Sequence, residues 1–122
     1  NDTLSKSPIG SLSQGMADDF KRALEWHLEH HGPGVTALAN ATGVSRDVIN
    51  KVLRRSPAST SVENAVLIAA YYGKTVNDFI SLRPATEASR LRALFDLLPK
   101  EEQRLLEAQI QGLLRRHGDA EA

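Results

Sequence analysis

The sequence predicts an all-α fold, a five-helix domain followed by a C-terminal helical hairpin. Three observations predict it. Apolar residues recur three and four apart through most of the 122 residues, the period of one helix face. No segment shows the strict alternation of a half-buried strand. Glycine or proline stands at the end of most periodic runs, where a helix must stop.

Residues 1–15 are rich in Ser and Gly, with Pro8 and few apolar side chains. They read as a flexible N-terminal arm. Lys6 is its one basic residue, so no minor-groove contact is expected of it. The first helix is expected from Ala17 to His31, with Phe20, Leu24, Leu28 and His31 on its apolar stripe and Ala23, His27 and His30 flanking it. Gly32-Pro33-Gly34 ends it.

A second helix is expected over Thr36 to Thr42, with Leu38, Ala39 and Ala41 inside it, then Gly43, Val44 and Ser45. The third spans Arg46 to Arg54, with Ser45 as N-cap and Val48, Ile49, Val52 and Leu53 as apolar positions. Pro57 blocks its continuation. The fourth starts after Thr60, where Thr60 and Glu63 have the residue types and spacing of a capping box, and runs to Tyr72. Adjacent helical residues point about 100° apart, so one of Tyr71 and Tyr72 faces the core and the other solvent. A short fifth helix is expected over Val76 to Leu82. Arg83-Pro84-Ala85 reads as a boundary. Two helices follow, one over Thr86 to Leu98 with Leu91, Leu94, Phe95 and Leu98, the other opened by Pro99 and running from Lys100 to His117. The expected organisation is an arm (1–15), a helical domain (16–83), a hairpin (84–118) and a short tail (119–122).

Composition narrows the function. Fifteen Lys and Arg balance fifteen Asp and Glu, which argues against binding nucleic acid by bulk charge. The positive charge is instead local. Residues 45–55 hold Arg46, Lys51, Arg54 and Arg55 against Asp47 alone. With no cysteine, the chain has no disulfide framework and no Cys-ligated zinc. No apolar run approaches the ~20 residues of a membrane span. No signal-peptide pattern opens the chain, so a cytoplasmic location is expected.

The informative stretch is residues 35–53. Gly43 supplies a left-handed turn between two short helices. Ala39 is small enough for those helices to approach closely. Val44 and Ile49 fill the space between them, Leu38 and Val52 point toward helices 1 and 4, and Ser45 caps the second helix so that its first turn projects outward. The pattern Leu38, Ala39, Gly43, Val44, Ser45, Ile49 and Val52 resembles the lambda-repressor-like (XRE-type) helix-turn-helix DNA-binding family, as does the run of five helices over residues 17–82. Two departures stand out. Many members carry Gln just inside the second helix, where this chain reads Val35-Thr36-Ala37. Many also carry Glu-x-Gly after the recognition helix, where this chain reads Arg54-Arg55-Ser56.

The resemblance implies that the third helix lies in the major groove of double-stranded DNA. Arg46, Asp47 and Lys51 would then face bases, with Asn50 nearer the groove wall. Arg suits guanine, Asn suits adenine and Asp can accept from the cytosine amino group; Asp47 alternatively orients Arg46 or Lys51. Thr36, Asn40, Ser45, Arg54 and Arg55 are expected at phosphates, which position without specifying. The implied function is a sequence-specific transcriptional regulator, a repressor on a palindromic operator.

His27 and His31, four apart on one helix face, invite a zinc reading. The residue after His27 is Leu28, not the Glu a zincin needs, and no third ligand is evident beyond His117. No metal or other cofactor is expected. Asp18-Asp19 and Glu101-Glu102 sit at helix starts, where the dipole favours acids. No phosphate loop, nucleophile elbow or peptidase signature appears, so no enzymatic activity is expected.

In the hairpin, Leu105, Leu106, Ile110, Leu113 and Leu114 make two faces of the last helix apolar, and Gly112 permits close backbone approach. One face is expected to pack on helix 6. The other is expected against helices 1 or 5 or a second chain, with a homodimer preferred because one short recognition helix binds weakly. The alternative is an antitoxin-type or adaptor module whose last two helices grip a protein partner.

Overall fold

The computed structural model describes residues 10–121. It is all-α, with seven helices among them: α1 (Gln14–His31), α2 (Val35–Thr42), α3 (Arg46–Arg54), α4 (Val62–Tyr71), α5 (Val76–Ile80), α6 (Glu87–Leu97) and α7 (Lys100–Glu121). Among the described residues no helix is long and apolar enough to cross a membrane.

Residues 1–9 of the expected arm lie outside the described residues. The remainder of that arm is held in place. The Leu12 amide donates to the Thr60 carbonyl at 2.9 Å, and the Val62 amide donates to Gly10. α1 then begins at Gln14, three residues before the expected start, because the Ser13 hydroxyl accepts from the Met16 amide and caps it. At the other end, the tail expected from residue 119 continues α7 through Glu121.

Helices α1 to α5 enclose one core. Phe20, Leu24, Leu38, Ile49, Val52, Ile68 and Phe79 are buried together, and burial of each large apolar side chain contributes about 1.5–3 kcal/mol. Phe20 and Phe79 join α1 to α5, with ring centroids 4.9 Å apart. Tyr72 faces inward and its hydroxyl donates to the Gly32 carbonyl at 2.9 Å, whereas Tyr71 is exposed.

Five expectations need correction. The fourth helix is capped by Ser61, whose hydroxyl accepts from the Asn64 amide, not by a Thr60–Glu63 box. Thr60 is turned inward, its carbonyl taken by Leu12 and its hydroxyl without a partner among the described residues. The fifth helix stops at Ile80. His27 is fully buried, not flanking. Finally, α6 meets α4 through Ser89 and Ala93, whose small side chains permit close approach, and Ser89 Oγ donates to the Gly73 carbonyl at 2.7 Å. The apolar residues read in this helix do not form its inner face: Leu91 and Leu94 are exposed. Nor does α7 pack along its length on α6, α1 or α5, and all five of its large apolar side chains are exposed.

His27 is the strongest polar commitment of the core. Its Nδ1 faces the Ala23 carbonyl at 2.7 Å, which can only accept, so Nδ1 carries the proton. Its Nε2 is thereby the acceptor for Lys74 Nζ at 2.8 Å. The ring stacks on Phe79, centroids 4.1 Å apart. Burial lowers the imidazole from 6.5 to about 4, and the neighbouring Lys74 charge pushes the same way against the Ala23 bond. A folded-state value below the unfolded one means that the unfolded chain takes the proton first. Stability is therefore complete above pH 6.5 and is lost as pH falls through that window toward 4. We expect urea unfolding to show a loss of about 2 kcal/mol between pH 7 and about pH 5, where most carboxylates remain ionised. A flat profile over that window would contradict the buried, neutral imidazole.

Candidate nucleic-acid interface

The candidate interface is built on α2, α3 and the turn between them. Leu38 is buried beneath α2 and anchors it to the core. α2 ends at Gly43, which adopts a left-handed conformation at φ 82° and returns its amide to the Ala39 carbonyl at 2.9 Å. Thr42 reinforces the exit: its hydroxyl donates to the Leu38 carbonyl at 2.8 Å and accepts from the Val44 amide at 3.2 Å. Val44 then plugs into the core. Ser45 accepts from the Val48 amide at 3.1 Å and starts α3.

α3 has two unlike faces. Ile49 and Val52 are buried, with Val48 and Leu53 packed beside them. At about 100° per residue, residues 46, 47, 50, 51 and 54 fall within an arc of roughly 140° on the other side. Arg46, Asp47, Lys51 and Arg54 are exposed there and Asn50 is half-buried. The four base-facing residues expected from the sequence thus share one outward face with Arg54.

Two contacts organise that face. Asp47 pairs with Lys51 at 3.3 Å, one helical turn on, so Asp47 orients Lys51 in the free protein. Arg46 Nη1 donates to the Thr36 hydroxyl at 3.4 Å, tying the start of α3 to the start of α2. Both are surface contacts and contribute little stability; their effect is to hold long side chains outward.

The expected phosphate-facing residues flank this arc. Thr36 and Asn40 are exposed on α2, and together with Ser45 and Arg46 they line a shallow notch between the two helices. The N-cap of α2 is Gly34, which makes no side-chain cap, so the first-turn amides of α2 are not satisfied by a capping side chain. Ser45 accepts from the Val48 amide in capping α3, which leaves its hydroxyl proton to donate to a phosphate. Arg54 and Arg55 are exposed at the far end, where Lys21 of α1 donates to the Arg55 carbonyl at 3.1 Å and adds a cation that the sequence reading did not include. Its signal was not local: Lys21 and Arg55 meet only because α1 packs against α3.

The candidate dimerisation residues are elsewhere. Leu105 and Leu114 are 64% and 65% exposed, and Leu106, Ile110 and Leu113 are exposed as well. A side chain added at Gly112 would meet nothing in this chain. Among the described residues no group of three or more His, Asp or Glu is placed to hold a metal ion. Compared with protein-family models, curated proteins and solved structures, the chain matches none.

The turn sets how α3 is presented. A Cβ at Gly43 would meet no other atom, so substitution there acts through the backbone alone. Gly43→Ala is expected to lower stability by about 1–2 kcal/mol, read as a lower urea midpoint with an unchanged slope. An unchanged midpoint would mean that the left-handed turn carries no strain and does not fix the angle between α2 and α3.

Proposed function

We propose that this protein is a sequence-specific double-stranded DNA-binding regulator of the lambda-repressor-like type, acting as a repressor, with α3 as its recognition helix. The observation that carries the reading is the division of α3. One face is locked into the core, and the other presents Arg46, Asp47, Asn50, Lys51 and Arg54 without an intervening apolar residue. A helix seated rigidly and offering bidentate donors and acceptors along one face is what base-edge readout requires.

The flanks suit the backbone of a duplex. Thr36, Asn40 and the open first turn of α2 stand on one side, where amides at a helix start attract phosphate. Arg54, Arg55 and Lys21 stand on the other. Net charge of zero is compatible with this arrangement because residues 45–55 set four cations, Arg46, Lys51, Arg54 and Arg55, against the single acid Asp47.

The exposed leucines of α6 and α7 support a homodimer. An apolar surface of this extent is unusual on a monomer. α7 carries Glu101 and Glu102 at its start and Arg115 and Arg116 near its end, so two copies pairing antiparallel bring opposite charges together. The same surface is what a protein-binding module would use, and the test below separates the two.

The test is selection of bound duplexes from a random DNA pool. An enriched palindrome with half-sites about 34 Å apart is the expected result. On that duplex Arg46→Ala should cost about 1–3 kcal/mol and relax one base position. No enrichment, with binding that vanishes uniformly as salt rises, would reject sequence-specific recognition and favour a protein partner for α6 and α7.

A further inference from the structure

Away from α3, a cavity of about 510 Å³ opens where the five-helix body meets the link to α6. Trp26, His31 and Tyr72 form aromatic walls, Leu82, Pro84 and Ala85 form an aliphatic wall, and Lys74 and His27 lie at its inner side. The volume is within the range of small-molecule sites. Three features are not explained by packing.

The first is Lys74. It is 95% buried (5% exposed), and a lysine is almost never so buried unless it is paired with an acid. Among the described residues, the one hydrogen-bond partner of its ammonium is the His27 imidazole, which is neutral. No carboxylate among the described residues lies within ion-pair distance of its Nζ. Burial pushes the Lys74 ammonium down, and Asp78 opposes that only through space, its carboxylate being engaged by Arg83 at 3.3 Å. The Trp26 face, 5.9 Å away, offers only a cation–π contact. A buried ammonium has three donors, and one is committed to His27.

The second is Leu82. It holds a left-handed backbone at φ 59°, where a glycine would close the helix at no cost and a leucine is strained. Its apolar side chain is 41% exposed at the rim of the cavity. The third is the aromatic lining itself. Trp26 is half-buried beside His30 and His31, leaving a flat apolar wall facing the ammonium.

We propose that this cavity is a binding site for a small aromatic carboxylate, its ring between Trp26, Tyr72 and Leu82 and its carboxylate on Lys74 Nζ. The occupant supplies the anion that the buried ammonium lacks, and the ring covers the apolar side chains that the protein leaves open. Neutral His27 holds Lys74 in position through its Nε2 lone pair. A cation as ligand is disfavoured by the ammonium, and a larger polyanion by the aliphatic wall. The site stands independently of the proposed DNA recognition, because none of its residues lies on α2 or α3.

Trp26 is the only tryptophan in the chain, so its emission reports on this cavity directly. The intact protein is titrated with phenylacetate, phenylpropionate and benzoate, and in parallel with the corresponding neutral amides. At least one acid is expected to give a saturable change in Trp26 emission, binding about tenfold or more tighter than its amide, the worth of one charge-assisted hydrogen bond. Lys74→Met is expected to abolish the preference for acid over amide while leaving the fold intact by circular dichroism. Should that variant not fold, Leu82→Gly, which keeps the left-handed cap and removes the wall, is expected to weaken acid and amide alike. No saturable response to any of the three acids, or equal affinity for acid and amide in the wild-type protein, would overturn the proposal.

Discussion

The burial of one side of α3 is the constraint on which the rest of the structure depends. Ile49 and Val52 are almost without solvent exposure, and α3 packs there against both α1 and α2. That burial fixes the rotation of α3 about its own axis. Rotation fixed, the residues at 46, 47, 50, 51 and 54 have no direction but outward. The turn at Gly43 and the cap at Ser45 then fix where the helix begins. The proposed recognition face therefore follows from packing, and the charged side chains on it are free to differ without disturbing the core.

This division also explains which parts of the protein were legible in the sequence. α3 was read to its correct ends because both are set by local chemistry, Ser45 at the start and the approach to Pro57 at the finish. The start of α4 was misread because Thr60 and Ser61 are both competent caps. Their competition is decided by the Leu12 amide, 48 positions away from Thr60 in sequence, which takes the Thr60 carbonyl. His27 follows Phe20 and Leu24 at helical spacing, so its inward position was available in principle. Its tolerance in the core depends on Lys74, 47 residues on, which periodicity does not reveal. In α6 the leucine stripe identified residues that share a face, and Ser89 and Ala93 took the inner position because small side chains allow α4 to come close. Periodicity says which residues lie together, not what covers them.

The two halves of the molecule differ in how far they are satisfied. The body of α1 to α5 closes its own core, with nearly every buried polar group partnered. The α6–α7 extension leaves Leu91, Leu94 and the five large side chains of α7 open. Between them lies the cavity that holds Lys74, bordered by the strained Leu82 and by Pro84 and Ala85 of the connecting link. The proposed reading assigns each unsatisfied region a different partner: a duplex at α3, a second chain at α7, and an aromatic anion at the joint.

The central claim is that α3 and its flanks form the nucleic-acid surface. It is tested most directly by titrating the isotopically labelled protein with a mixed-sequence duplex at low salt and following backbone amide resonances. The account predicts that the changes concentrate at Thr36, Asn40 and residues 45–55, with α6 and α7 unmoved. Changes confined to α6 and α7, or none on α3 while the duplex is bound, would contradict it.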